Sequence, residues 1–277
     1  MNGILVIGLT GQLGEALLPL LRQLDRPLVA LSRERQPPVA GVEWLLGSLQ
    51  AMPELPAGLD CILSLGPLDA FAAWFAACGL PASRVIAIGS TGRDDKLHSG
   101  DPVERDQAQR LRGAEELLFA AGSRHGAAVT VLRPTLLYGV GRDQTLSRLV
   151  KLGRRWGVVP LPSSATGLRQ PVHVADVAAA MVRCLEVIGT SGHAYDLPGG
   201  ETLRFDAMVR RTLARHAPAC KVFSAPTILF GLALRMVALL RSTPINRALL
   251  VRLQQDQLAS AAPAREAFGY QPRVFDP

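Results

Sequence analysis

The first half of the chain alternates short apolar runs, several of them continuously apolar, with longer stretches of helical periodicity. Ile4–Ile7, Leu28–Leu31, Glu43–Leu46, Cys61–Leu65, Val85–Ile88 and Val129–Leu132 are the strands this pattern predicts. Runs that are apolar throughout suit strands buried on both faces, and alternation with helices suits crossovers above a parallel sheet. The helices fall at Gln12–Leu24, Asp69–Cys78 and Val103–Ala121, with Pro19 expected to kink the first and Gly79 to stop the second. The second half is less regular. It predicts a helix at Gln144–Trp156, an extended Val158–Ser164, an Ala-rich helix at Asp176–Val187, a strand at Ala194–Leu197, a helix at Phe205–Ala217 and two helical segments between Ala225 and Leu258. The fold class implied is α/β, a mainly parallel sheet with helices on both faces.

Composition narrows the setting. The 277 residues suit one large domain or two closely packed ones, and the 48% of hydrophobic residues argues against disorder. The first residues lead straight into Ile4–Ile7 with no secretory pattern, and no charge-free apolar run reaches about 18 residues. A cytoplasmic protein without membrane attachment is expected. Thr227–Leu240 is apolar but interrupted by Arg235, which fits a buried lid helix or a homodimer contact better than a membrane anchor. The net charge of +7 rests on 30 basic residues, of which three are lysines (Lys96, Lys151, Lys221) and the remaining 27 arginines. They are scattered and form no basic stripe interleaved with aromatics, so no nucleic-acid partner is expected. Cys61, Cys78, Cys184 and Cys220 lack metal-ligand spacing; free thiols and no metal are the expectation.

The sharpest motif is Gly8-Leu9-Thr10-Gly11-Gln12-Leu13-Gly14, between the first strand and the first helix. Glycines there let backbone approach a pyrophosphate, while the helix start offers oriented N–H donors and a favourable dipole. At the end of the second strand, Ser32 can hydrogen-bond a phosphate and Arg33 can offer a fork of donors. This favours NADP over NAD, which would call for an acid at that place.

The Gly-x-x-Gly-x-x-Gly spacing resembles the short-chain dehydrogenase/reductase superfamily, in particular its extended, epimerase/dehydratase-like branch. Leu132-Arg133-Pro134-Thr135-Leu136-Leu137-Tyr138-Gly139 is similar to that branch's Arg-Pro-x-x-x-Tyr-Gly segment. Gln170–Ala178, Tyr195–Gly200 and Phe268–Arg273 also follow the branch. The resemblance implies a Rossmann-type domain at 1–142 and 169–190, with a small substrate domain interleaved at 143–168 and 191–277. It implies a cofactor bordered by Gly8, Thr10, Gly11, Gln12, Leu13 and Gly14, by Ser32 and Arg33, and by Gly47, Ser48 and Leu49 near the adenine. Leu65, Gly66, Pro67, Pro134 and Leu136 would border it further on. Ser48 stands where the branch usually has Asp.

The catalytic apparatus departs from the branch. The superfamily's Tyr-x-x-x-Lys pair lies on the helix after the fifth strand, and a Ser or Thr before that helix holds the reacting oxygen. Thr91, with Ser90 beside it, keeps the latter. Matching Glu116 to the branch's usual acid places Arg112 at the lysine position, where it would bind ribose hydroxyls, and Ala108 at the tyrosine position. No tyrosine precedes Tyr138, which is therefore the nearest candidate phenol. His173 is assigned to packing. Gly92–Pro102 reads as a solvated loop, although it holds Asp94, Asp95, Lys96 and His98. Arg169, Arg142 and Arg154 are candidates for an anionic-substrate pocket or ordinary surface arginines. Two functions stay open: an NAD(P)(H)-dependent epimerase/dehydratase-like oxidoreductase acting on a sugar nucleotide or another small carbonyl or hydroxyl compound, and a catalytically silent NADP(H)-binding sensor or scaffold.

Overall fold

The computed structural model describes residues 3–78, 82–143, 145–230 and 247–277. Gly79, Gln144 and residues 231–240 of the apolar stretch that holds Arg235 lie outside them. The main body follows the predicted alternation. In chain order it comprises β1 (Gly3–Ile7), α1 (Gln12–Arg22), β2 (Leu28–Ser32), β3 (Val42–Leu46), β4 (Leu59–Ser64), α2 (Leu68–Cys78), β5 (Arg84–Ile88), α3 (Gly92–Asp95), α4 (Pro102–His125) and β6 (Ala128–Pro134). After β7 (Leu137–Tyr138) come α5 (Leu146–Trp156), β8 (Val158–Pro162), β9 (Leu168–Arg169), β10 (Val172–His173), α6 (Val174–Glu186) and β11 (His193–Leu197). The remainder is β12 (Leu203–Arg204), α7 (Phe205–His216), β13 (Lys221–Ala225), α8 (Arg247–Gln254) and α9 (Ala262–Phe268).

Seven strands form one parallel sheet in the order β11-β6-β5-β4-β1-β2-β3. The chain runs outward from β1 to β3, then crosses back to β4 and proceeds the other way. Such a reversal opens a crevice beyond the carboxyl ends of the two central strands. One face of the sheet is covered by α1 and α6 through Leu17, Leu21 and Met181, the other by α2 and α4 through Phe71, Phe75 and Leu118. Pro19 does not end α1; it lies on the exposed side, where water can replace the lost ladder bond. The Asp101 carboxylate accepts from the Val103 N–H at 2.9 Å and starts α4, and left-handed Gly126 ends it.

A smaller core of Leu146, Val159, Leu161, Phe205, Met208 and Leu213 joins α5, β8 and α7. β13, which no periodicity announced, pairs in parallel with β8. The expected boundaries need correcting at two places. β11 completes the large sheet, and Phe268 and Tyr270 pack into the core beneath it, so residues 193–197 and the α9 region belong to the main body.

Candidate active site

Backbone bonds knit the carboxyl edge of the sheet: Leu65 N–H donates to Ile7 O at 2.8 Å, Gly47 to Ser32 at 2.8 Å and Gly89 to Leu132 at 2.8 Å. The glycine turn sits at the crossover between β1 and β4. Gly8 has φ +90°, and a Cβ there would stand 3.2 Å from the Leu65 carbonyl carbon, which packs the turn against Leu65 and Gly66. A Cβ at Gly14 would stand 2.0 Å from Leu9 O, so this glycine is required by the turn itself. Gly11 caps α1 without any side-chain bond, Thr10 is exposed, Leu13 is buried, and the Gln12 Oε1 is buried without a partner. An uncapped helix start and a backbone stripped of side chains fit a dinucleotide pyrophosphate.

Beside it, the Ser32 hydroxyl donates to Glu34 O at 2.7 Å and accepts from Gln36 Nε2 at 3.1 Å, so it shapes the turn after β2. Arg33 is exposed and has no ion-pair partner among the described residues. Ser48 Oγ likewise serves its own turn, accepting from Ala51 N at 3.1 Å, and a Cβ at Gly47 would meet Pro53 at 2.6 Å. Leu49 packs against the core and Pro67 O starts α2 by accepting from Phe71 N at 3.1 Å.

Beyond the ends of β5 and β6 lies a cleft of about 620 Å³. Ser90, Thr91, Asp95 and Lys96 line one wall; Leu136, Leu149, Leu161, Phe205 and Leu253 give an apolar floor; Arg148, Arg169 and Arg252 bring cations. Thr91 N–H donates to Pro134 O at 3.4 Å, which ties the candidate oxygen-holding residue to the Arg-Pro segment. The stretch read as a solvated loop is thus partly wall: α3 turns Asp95 and Lys96 into the cleft. Burial raises the Asp95 carboxyl above its ordinary value, while burial and the neighbouring Arg252 charge lower the Lys96 ammonium. Arg169 is buried, donating to Gln255 O at 2.7 Å and Arg252 O at 2.6 Å. Arg142 and Arg154 are elsewhere. Arg142 reaches Thr10 O at 3.2 Å over the glycine turn, and Arg154 donates to His216 O at 2.9 Å. Arg252, from α8, had no sequence signal; only the tertiary fold brings it here.

The catalytic assignments shift. The buried acid on α4 is Glu115, 3% exposed, which bonds Arg133 of the Arg-Pro segment (Nε at 3.0 Å) and Arg93 Nη1 at 3.0 Å; Glu116 is exposed. Burial opposes the Arg133 charge, but the bonds to Glu115 outweigh it and keep the guanidinium strongly charged. Anchoring on Glu115 moves the four-spaced positions back by one, to Leu111 and Gln107. Ala108 is buried within the helix packing. Arg112 does not line the cleft; it is paired with Asp94 at 2.5 Å. Tyr138 is not available as a proton donor either. It is 2% exposed, wedged edge-on against His173 and Phe275, and its hydroxyl accepts from the Asp276 N–H at 3.3 Å. His173 caps α6 by accepting from the Ala175 N–H, the packing role expected of it.

Residues 110–197 match the NAD dependent epimerase/dehydratase family. A 2-alkyl-3-oxoalkanoate reductase of Stenotrophomonas maltophilia (strain K279a) is 27% identical over 315 aligned positions, spanning 98% of this chain and 95% of the relative. Among solved structures, MoeE5 in complex with UDP-glucuronic acid and NAD superposes with a TM-score of 0.71 at 19% identity, covering 99% of this chain and 95% of that one. A UDP-glucuronic acid 4-epimerase from Bacillus cereus in complex with NAD gives a TM-score of 0.73 at 13% identity, with 99% and 94% covered. No helix among the described residues is long and apolar enough to cross a membrane. With its sheet order and its glycine turn, the chain has the Rossmann-type fold of these solved structures, and its residues 110–197 are similar to the NAD dependent epimerase/dehydratase family.

Proposed function

We propose that the protein is an oxidoreductase that binds NADP(H) in preference to NAD(H) and acts on a small anionic carbonyl or hydroxyl compound. The reading is carried by the cleft next to Ser90 and Thr91, whose cations Lys96, Arg148 and Arg169 face an apolar floor. A substrate with a carboxylate or phosphate and a hydrocarbon or sugar portion matches that lining. The relatives include a 2-alkyl-3-oxoalkanoate reductase and proteins in complex with UDP-sugars, which cover both kinds. The dinucleotide, lying along the glycine turn, would supply or accept a hydride. The residues around it have separate tasks: the α1 N-terminus holds the pyrophosphate, Arg33 pairs with the 2′-phosphate, and Thr91 or Ser90 holds the reacting oxygen.

A second reading, a silent dinucleotide binder, is favoured by the residues at the corrected positions, since neither Gln107 nor Leu111 replaces a phenol and its neighbouring cation. Calorimetric titration with NADPH and NADH, followed by single-turnover oxidation across matched anionic and neutral ketones, separates the two. The oxidoreductase reading expects tighter NADPH and faster anionic ketones. Binding without turnover on any substrate supports the silent binder, and absence of dinucleotide binding overturns both.

A further inference from the structure

We propose that Lys96 is the proton donor of this site, taking the place of the absent tyrosine; the proposal rests on the oxidoreductase reading. Lys96 follows the four-residue helix α3 and lines the cleft with Ser90 and Thr91. Its stem crosses Gly92. The point where a Cβ would project from that glycine is 3.6 Å from Lys96 Cε and 3.2 Å from Ser90 Oγ, so the glycine leaves the lysine and the candidate oxygen-holding hydroxyl on one side of the turn. Lys96 Nζ donates to Gln107 Oε1 at 2.8 Å. Gln107 is the residue that the Glu115 anchor puts at the tyrosine position. The bond holds the ammonium next to that position, at the exposed edge where α3 meets α4.

The electrostatics suit the task. Asp95 on the same turn and Glu104 on α4 favour the charge, while Arg252 opposes it; Arg148 and Arg169 add further positive potential in the cleft. Glu104 is itself paired with Arg252. Burial and Arg252 prevail, leaving an ammonium that gives up its proton more readily than a solvated lysine.

The reaction balances with NAD(P)H as reductant. The substrate carbonyl carbon gains the hydride and forms a C–H bond, the C–O π bond breaks, and the oxygen takes a proton from Lys96 Nζ. The carbonyl is reduced to an alcohol and the dihydronicotinamide is oxidised. Neutral Lys96 then recovers a proton from water through the open cleft.

The test uses Lys96→Met and Lys96→Arg beside the parent. Arginine keeps the charge but does not release a proton near neutral pH. Both variants are expected to bind NADPH within about 2-fold of the parent and to lose single-turnover rate by about 10²-fold or more. The parent rate should fall at alkaline pH, with an inflection that both variants lack. A readout independent of turnover exploits the three lysines. After ¹³C reductive methylation of the cofactor-free protein, one of the three lysine NMR signals, set apart from that of the α-amino group, should titrate at lower pH than the other two and vanish in Lys96→Met. Parent-like turnover in either variant, or a Lys96 signal that titrates with Lys151 and Lys221, overturns the proposal alone. A parent that turns over no carbonyl overturns the oxidoreductase reading and the proposal with it.

Discussion

At the amino edge of the sheet, buried Arg84 spends its donors on protein. It bonds Cys184 O at 3.0 and 2.5 Å, Ala128 O at 3.2 Å, Val187 O at 3.3 Å and the Thr190 hydroxyl. These acceptors include carbonyls left over at the end of α6, so one guanidinium ties β5 and β6 to that helix terminus. Burial lowers its pKa, yet the bonds keep the charge affordable. The carboxyl edge is arranged otherwise. There α1 starts without a side-chain cap, Gln12 Oε1 has no partner, and Arg33 and Arg148 form no ion pairs among the described residues. A buried charge with every donor matched serves stability; polar groups left unmatched at a crevice are those a ligand can satisfy.

The sharpest break in this contrast is Gly14→Ala. Although the residue belongs to the cofactor turn, its added methyl would overlap Leu9 O, and a loss of about 4 kcal/mol or more is expected, read by urea unfolding. Ordinary stability would remove Gly14 from the fold's requirements. Next comes Arg84→Met, expected to cost about 3 kcal/mol because it strands buried acceptors, with NADPH affinity unchanged. An affinity change as large as the stability change would dissolve the distinction between the edges. Third, in the Lys96→Met background, Gln107→Tyr with Leu111→Lys should recover about 10²-fold in single-turnover rate by rebuilding the phenolic relay. No recovery would remove the register anchored on Glu115.

Arg33→Ala is expected to weaken NADPH by about 1.5–3 kcal/mol and leave NADH nearly untouched, as calorimetry can show. Equal losses would assign Arg33 to the shared part of the cofactor. The smallest effect concerns Glu201, whose pKa is lowered by its bonds to Arg211 at 2.7 and 2.8 Å. Because the folded value lies below the unfolded one, its stabilisation is present above the unfolded pKa and fades as pH falls through the folded one. Glu201→Gln should cost less than about 1 kcal/mol near neutrality, given the partly exposed pair, and flatten the acid limb of thermal stability.

The strands from β1 to β6 were legible because each is short and predominantly apolar, several of them continuously so, and the glycine turn because its spacing sits between strand and helix. The helix register was not. Glu115 and Glu116 are adjacent acids about 100° apart around α4, and only Arg133 and Arg93, arriving from other elements, show which of them is buried. β13 escaped because Lys221, Val222, Phe223 and Ser224 show no alternation and none is buried, so the segment gains strand character only by pairing with β8. Of the cleft's cations, Arg169 was singled out by its place before the Val-His-Val segment, but Arg252 was hidden: it is separated from Arg169 by a long stretch of chain, and composition offers no way to choose it among scattered arginines.

Arg93 carries one more consequence. A helix of four residues without a side-chain cap would fray if left alone, yet α3 is fastened by Arg93 to the same buried carboxylate that anchors α4 and β6. The turn that presents Lys96 therefore behaves as masonry. Its amide protons should exchange with solvent slowly for so short an element, and accommodation of differently sized substrates falls to the opposite wall, where Arg148 and Leu149 stand on α5 and Leu253 on α8.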